Sequence, residues 1–302
     1  TGTGFEVGVN YQHRFNNGLG VSASASLSHV TEKITKYNKE DRNIYGNYEG
    51  KRLGEIWGYE TDRLFQADDF KPDGTLKDGI ASQALYESGT FKFGPGDVKY
   101  KDLNGDGKIT YGNNTVENHG DLKVIGNALP NFEYSFNLGC SYKGFDFNTF
   151  FQGVGKRDLW VGGAVAIPSG GSGFMDAVYA HQMDYWTPSN TNAFYPRPTD
   201  MSWVDNGRNF LTQTRYLCNM AYLRCKNLTV GYTLPDFVMK KIALQSIRVY
   251  FSAENLFEFD HMKIPIDPES TQYKSGFGDS RWSFGRSYPY MRTLSFGVQA
   301  VF

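Results

Sequence analysis

The sequence predicts an all-β chain of antiparallel strands, of the kind that forms a transmembrane barrel. Three observations carry that expectation. Apolar residues alternate with polar or small ones over long stretches, the period-2 pattern of a strand with two unlike faces. Aromatics make up 16% of the 302 residues and glycine occurs 34 times, yet mean hydropathy is only -0.49. A barrel wall reconciles the two, because lipid-facing residues alternate with lumen-facing ones. No run of about 18 apolar residues exists that would make a membrane helix.

The elements follow in chain order. Phe5, Val7, Val9 and Tyr11 alternate with Glu6, Gly8, Asn10 and Gln12. After the turn Asn16-Asn17-Gly18, Leu19, Val21, Ala23, Ala25 and Leu27 alternate with Gly20, Ser22, Ser24, Ser26 and Ser28. The segment Asn131 to Tyr142 sets Phe132, Tyr134, Phe136, Leu138 and Cys140 against Glu133, Ser135, Asn137, Gly139 and Ser141. Lys143-Gly144 then turns the chain into Phe145, Phe147 and Phe151 against Asp146, Asn148 and Gln152, which reads as a hairpin. Leu228, Val230, Tyr232 and Leu234 oppose Asn227, Thr229, Gly231 and Thr233. A short helix is expected at Asp236 to Leu244, after the Leu234-Pro235 stop. Ile247, Val249, Phe251 and Ala253 oppose Ser246, Arg248, Tyr250 and Ser252. The last strand sets Leu294, Phe296, Val298, Ala300 and Phe302 against Thr293, Ser295, Gly297 and Gln299.

A soluble sandwich gives the same alternation with its polar faces outside. Three features favour the membrane. The strands run to about 10 residues or more, as a tilted span requires. Aromatics recur at strand ends (Tyr11, Tyr142, Phe145, Tyr232, Tyr290), where girdles lie. The polar face is rich in Ser, Gly, Asn and Thr and poor in Lys. The connections also alternate between short and long. Residues 35–121 and 156–214 are expected to be extracellular loops, folded above the barrel, and loops of that length usually carry function.

Charge and cysteines narrow the classes. Lys plus Arg is 31 and Asp plus Glu is 32, a net charge of -1, which gives no support for a nucleic-acid partner. Cys140, Cys218 and Cys225 show no CxxC spacing and read as unpaired. The chain begins at Thr1 without an initiator Met or secretion signal, so residue 1 is expected not to be the natural start.

The sharpest local motif is Asp102 to Ile109. Asp102, Asn104 and Asp106 with the carbonyl of Lys108 match positions 1, 3, 5 and 7 of a calcium loop, and Gly107 stands at position 6. Position 12 is Asn113 rather than a bidentate Glu, with Glu117 or Asp121 as substitutes. The alternative is an Asx-rich turn whose side chains bond nearby backbone groups. A structural Ca2+ there would order a loop. Trp160, Trp186 and Trp203 are candidates to stack on a sugar, against the alternatives of packing loop cores or anchoring at the membrane interface. Gly18-Leu19-Gly20-Val21-Ser22-Ala23 matches a dinucleotide fingerprint loosely, but a strand follows it where a helix is needed. There is no P-loop, HExxH or GxSxG, the five His are scattered, and Asp68-Asp69 and Glu258 with Asp260 read as solvated loop charges. No enzyme is expected.

Six phrases in register resemble the SusC/RagA family of TonB-dependent outer-membrane transporters. They are GDVKYKDLNGDGKIT (Gly96 to Thr110), the strand pair of Gly120 to Gly153, YWTPSNTNAFYPRP (Tyr185 to Pro198), YLRCKNLTVGYTLP (Tyr222 to Pro235), SIRVYFSAENLF (Ser246 to Phe257), and a last strand ending in Phe302. The resemblance implies the C-terminal part, residues 1–302, of a larger 22-stranded barrel whose plug and N-terminal region lie outside this chain. It implies a SusD-like lipoprotein lid, energy from TonB through the missing N-terminal part, and import of glycans or peptides. It places the protein among outer-membrane lipids of a Gram-negative bacterium. Phe302 resembles the terminal aromatic read by the outer-membrane insertion machinery. Eight to ten strand candidates are too few to close that barrel, so an incomplete curled sheet with unpaired edges is expected. Two other readings stay open. One is a soluble or surface-attached β-sandwich that binds glycan. The other is a secreted glycan-cleaving enzyme, which needs two carboxylates converging in one cleft.

Overall fold

Aromatic and β-branched residues on one side of each long segment, with Ser, Asn and Gly on the other, favour extended backbone. A computed structural model shows how those segments pair. It describes all residues except 39, 88–90, 163–164, 169–177, 199–206, 243, 270–287 and 289. The chain starts with the hairpin β1 (Gly2–Arg14) and β2 (Gly20–Glu32). Four short strands follow: β3 (Glu55–Tyr59), β4 (Thr61–Leu64), β5 (Val98–Tyr100) and β6 (Leu122–Asn127). The second long hairpin is β7 (Asn131–Tyr142) and β8 (Phe145–Lys156). Then come β9 (Asp158–Leu159), β10 (Cys218–Asn219), β11 (Tyr222–Thr233), β12 (Ser246–Glu254), β13 (Glu258–Asp260) and β14 (Thr293–Val301). The expected helix forms at Asp236–Ile242.

One large sheet runs in the order β1-β2-β7-β8-β11-β12-β14, with β13 beside β11. Every neighbouring pair in it is antiparallel. The tight turn between β7 and β8 places Lys143 at φ 48° and Gly144 at φ 88°. That left-handed pair matches the twist of a two-residue hairpin.

The register keeps the two residue sets apart. Val9 lies opposite Ala25, Ala25 opposite Phe136, and Phe136 opposite Phe151. Phe147 meets Val230, Val230 meets Phe251, and Phe251 meets Phe296. Because side chains alternate with period 2, these rows share one face. Gly139, Asn148, Thr229, Ser252 and Ser295 form a row on the other. Much of the apolar face is uncovered, with Val9 62% and Phe296 85% exposed, whereas Thr149, Cys225 and Ala253 on it are buried towards the long-connection end. A sandwich would pack this face under a second sheet, and the described residues supply none.

The sheet has two unlike ends. At one, the strands join through residues 15–19, the 143–144 turn and the helix-bearing 234–245. At the other they join through 33–130, 157–221 and 255–292. The two longest excursions share one hydrophobic core. Ile44, Phe65, Val98, Tyr100 and Ile109 of the first pack with Trp186, Tyr195, Phe210 and Tyr216 of the second. Asp97, fully buried, joins them. It accepts hydrogen bonds from Arg197 Nε (3.0 Å) and Nη2 (2.8 Å), Asn209 Nδ2 (2.9 Å) and the Gly94 N–H (2.8 Å). A buried carboxylate is tolerated when each lone pair is answered in this way.

On the polar face, Arg248 of β12 grips Asp146 of β8 through Nε (2.9 Å) and Nη2 (2.6 Å). The pair passes over Gly231 of β11, the strand between them, where a Cβ would fall 2.5 Å from both partners. Gly231→Val is therefore expected to push the pair apart and cost about 1–3 kcal/mol, the range for overpacking. A lower urea midpoint for the variant checks this; an unchanged midpoint would mean that the ion pair does not depend on the glycine.

Candidate functional site

Short polar side chains build the second face of the sheet. Ser26 and Ser135 share a hydrogen bond of 2.8 Å, and Asn148 Nδ2 donates to Asn137 Oδ1 at 3.1 Å. Near the short-turn end this face holds a hollow of about 600 Å3, lined by Gln12, Arg14, Ser22, Ser141, Asp146 and Asn148 among others. Such a surface offers many exchangeable hydrogen bonds and no reactive pair, which suits a hydrated passage.

Towards the long excursions, the same face carries Arg224, only 2% exposed. It donates from Nε to Glu258 (2.9 Å), from Nη1 to Glu269 (2.6 Å) and from Nη2 to Asp267 (2.8 Å). Lys226 adds a bond to Glu269 at 2.9 Å. Tyr290 covers both cations, 5.1 Å from Arg224 and 4.5 Å from Lys226. Tyr290, expected in a girdle, thus stacks on charge instead. The other four girdle residues share the short-turn end, where the Phe145 and Tyr232 rings lie 4.4 Å apart. The cluster staples the last excursion to β11. Its carboxylates lie 34 to 45 residues further along the chain, so no local pattern announces it.

The loop of Asp102, Asn104, Asp106 and Lys108 closes on its own backbone. Asp102 accepts the Gly105 N–H (2.6 Å) and the Gly107 N–H (2.8 Å). Asn104 Oδ1 accepts the Asp106 N–H (2.9 Å), and Asp106 accepts the Lys108 N–H (2.8 Å). This is the geometry of consecutive Asx turns. Asp121, the proposed substitute ligand, is fully buried and accepts from the Leu103 and Thr110 N–H groups instead. Among the described residues, no group of three or more His, Cys, Asp or Glu side chains is placed to hold a metal.

The tryptophans separate. Trp186 is built into the excursion core, with its Nε1–H towards Gln66 Oε1 at 3.5 Å. Trp160 packs, half-buried, against the same core. Trp203 lies outside the described residues. Two carboxylates read as solvated are ion-paired. Glu258 serves Arg224, and Asp69 is buried against Arg63, which donates from both terminal nitrogens at 2.6 Å. Cys218 and Cys225 are buried free thiols, and Cys140 is an exposed one.

No protein-family profile matches the chain. It is similar to TonB-dependent receptor P3 of Formosa agariphila, at 29% identity over 99% of this chain and 28% of that receptor. It is also similar to TonB-dependent receptor P26 of the same organism, at 27% identity over 68% of this chain and 20% of that receptor. The chain thus spans less than a third of the length of the curated relatives it matches. The structure of the RagAB peptide importer in its open-open state superposes on all of this chain and 28% of its own, with a TM-score of 0.64 at 19% identity. A further RagAB peptide transporter structure gives 0.62 at 18%. The fold is therefore that of part of a transporter β-barrel, and the relatives are receptors and transporters rather than enzymes.

Two measurements test the excursion's electrostatics. Burial pushes the Asp69 carboxyl up, but the Arg63 guanidinium and the Gln66 N–H more than offset it, and the net shift is down. Hydrogen bonds from Lys101 and Lys123 lower Glu60. Both groups bind their proton more weakly folded than unfolded. Their stabilisation is full above the ordinary carboxylate range of about 4 and is lost as pH falls through the lowered folded values. The melting temperature should hold between pH 7 and 5 and drop below pH 4, less so in Asp69→Asn. Asp102→Ala removes the acceptor for two N–H groups and should cost about 1–3 kcal/mol in EGTA. A calcium-dependent rise in the wild-type midpoint, absent from the variant, would show that the loop also takes the ion.

Proposed function

We propose that this chain forms part of the wall and external loops of a TonB-dependent outer-membrane importer, with the polar face lining the passage and the apolar face against lipid. The observation that carries the reading is the apolar face, continuous across seven strands and open to the surroundings. In water such a patch would be a liability; in a bilayer it is the required surface. The outer edges of β1 and β14, unpaired among the described strands, are where further strands of a closed wall would join.

In this proposal the long connections face outward from the cell and the short ones face the periplasm. Cargo passes along the polar face, held by hydrogen bonds that form and break, with no covalent step. Bulky glycans or peptides are the cargo classes, a SusD-like lipoprotein is the lid, and TonB supplies the energy. Trp160, only half-buried against the excursion core, is the loop tryptophan assigned to cargo in this reading, since Trp186 is committed to the core. The soluble glycan-binding sandwich is the weaker reading, because its two faces would have to exchange roles.

Fractionation of cells that make the full-length polypeptide tests this first. It should sediment with the outer membrane and shift its gel mobility on boiling, as a folded barrel does. A soluble product with no shift would return the sandwich to the lead. Val249→Arg places a charge on the apolar face and should destabilise the folded form by about 2–4 kcal/mol if it lies near the bilayer midplane.

A further inference from the structure

Between the second and third excursions lies a cleft of about 160 Å3. Its floor is apolar, formed by Val161, Ala166, Ile167 and Ile264. Its rim carries Arg215 and Lys263, with His261 beside them. Among the described residues, no Asp or Glu lines it and neither cation has a carboxylate within ion-pair distance. Arg63, Arg197, Arg224 and Arg248, by comparison, each hold a carboxylate.

The arginine is positioned rather than loose. Its Nε donates to the Phe194 carbonyl (2.9 Å) and its Nη2 to the Ala193 carbonyl (2.6 Å). These bonds lay the guanidinium near the faces of Phe194 (6.0 Å) and Tyr216 (5.9 Å). The Tyr216 hydroxyl is a further polar neighbour of the guanidinium. Lys263 approaches the Phe194 ring from its own loop, 5.5 Å from the centroid. Two cations therefore meet around one aromatic ring at the mouth of an apolar hollow. A cavity of about this size accepts a benzene-sized group, and a guanidinium favours a carboxylate.

We propose that this cleft binds the carboxyl end of a peptide that terminates in an apolar residue, with the side chain on the floor and the carboxylate against Arg215 and Lys263. The same cations would attract the carboxylate of a sugar acid, but its ring presents hydroxyls to a floor that offers them no partner. The inference rests on the import reading for its purpose, while binding itself needs no energised membrane.

The test is equilibrium binding to the full-length polypeptide in detergent, with N-acetylphenylalanine, its neutral amide, N-acetylglycine and glucuronate as probes. N-acetylphenylalanine should bind, and the amide and N-acetylglycine should each bind at least about tenfold more weakly. Lys263→Gln, which alters no hydrogen bond recorded among the described residues, should weaken the acid by about tenfold and leave the amide unchanged. Equal binding of acid and amide, stronger binding of glucuronate, no binding at all, or indifference to Lys263→Gln would each overturn the proposal. Binding as expected in a protein that imports nothing would count against the import reading alone.

Discussion

Backbone pairing from β1 to β14 is the constraint on which the rest depends, because a strand in hydrocarbon has no water to satisfy its N–H and C=O groups. Each long strand is nine to thirteen residues, enough for a tilted crossing. Antiparallel order lets neighbours join by short turns at one end. A slip of one residue anywhere would turn a strand's phenylalanines to the polar side. Strand order, register and the identity of each face are thus one decision, made by the ladder.

With the ladder set, the charges on the polar face of its later strands are partnered. Arg248 and Asp146 neutralise each other across three strands on the polar face, and Gly231 makes room for them. Arg224, almost wholly buried, takes three carboxylates and a tyrosine ring. Above the sheet, the excursions solve a different problem. They hold a core of their own and bury Asp97 with full hydrogen bonding. The result is a packed body with its own core rather than a set of separate loops. The cations at the Arg215 cleft have no carboxylate within ion-pair distance among the described residues.

The parts legible in the sequence are those written locally. The alternation of Phe132 to Tyr142 and of Phe145 to Phe151, with Lys143-Gly144 between, specifies a hairpin within about 20 residues, and the structure pairs it as read. The first hairpin and the last strand follow the same rule. What was not legible is non-local. Pairing of β3 with β6 joins segments more than sixty residues apart. The Arg224 cluster and the shared excursion core need three-dimensional coincidence, as does the partnering of Asp69 and Glu258. Trp186 shows the limit in the other direction: a loop tryptophan suits a sugar or a core equally well until its neighbours are known. The calcium-like spacing of Asp102, Asn104 and Asp106 is the same case, since Asx turns use those residue types at that spacing.

In the proposed barrel wall, one face of the sheet meets lipid and the other meets water. Spin labels placed singly at 246 to 251 of β12 in the full-length polypeptide, reconstituted in bilayers, separate the two faces. Labels at 247, 249 and 251 should be accessible to oxygen and shielded from a water-soluble nickel reagent, with the alternate positions the reverse. Labels on the apolar positions that are open to the nickel reagent, or shielded from both, would contradict it.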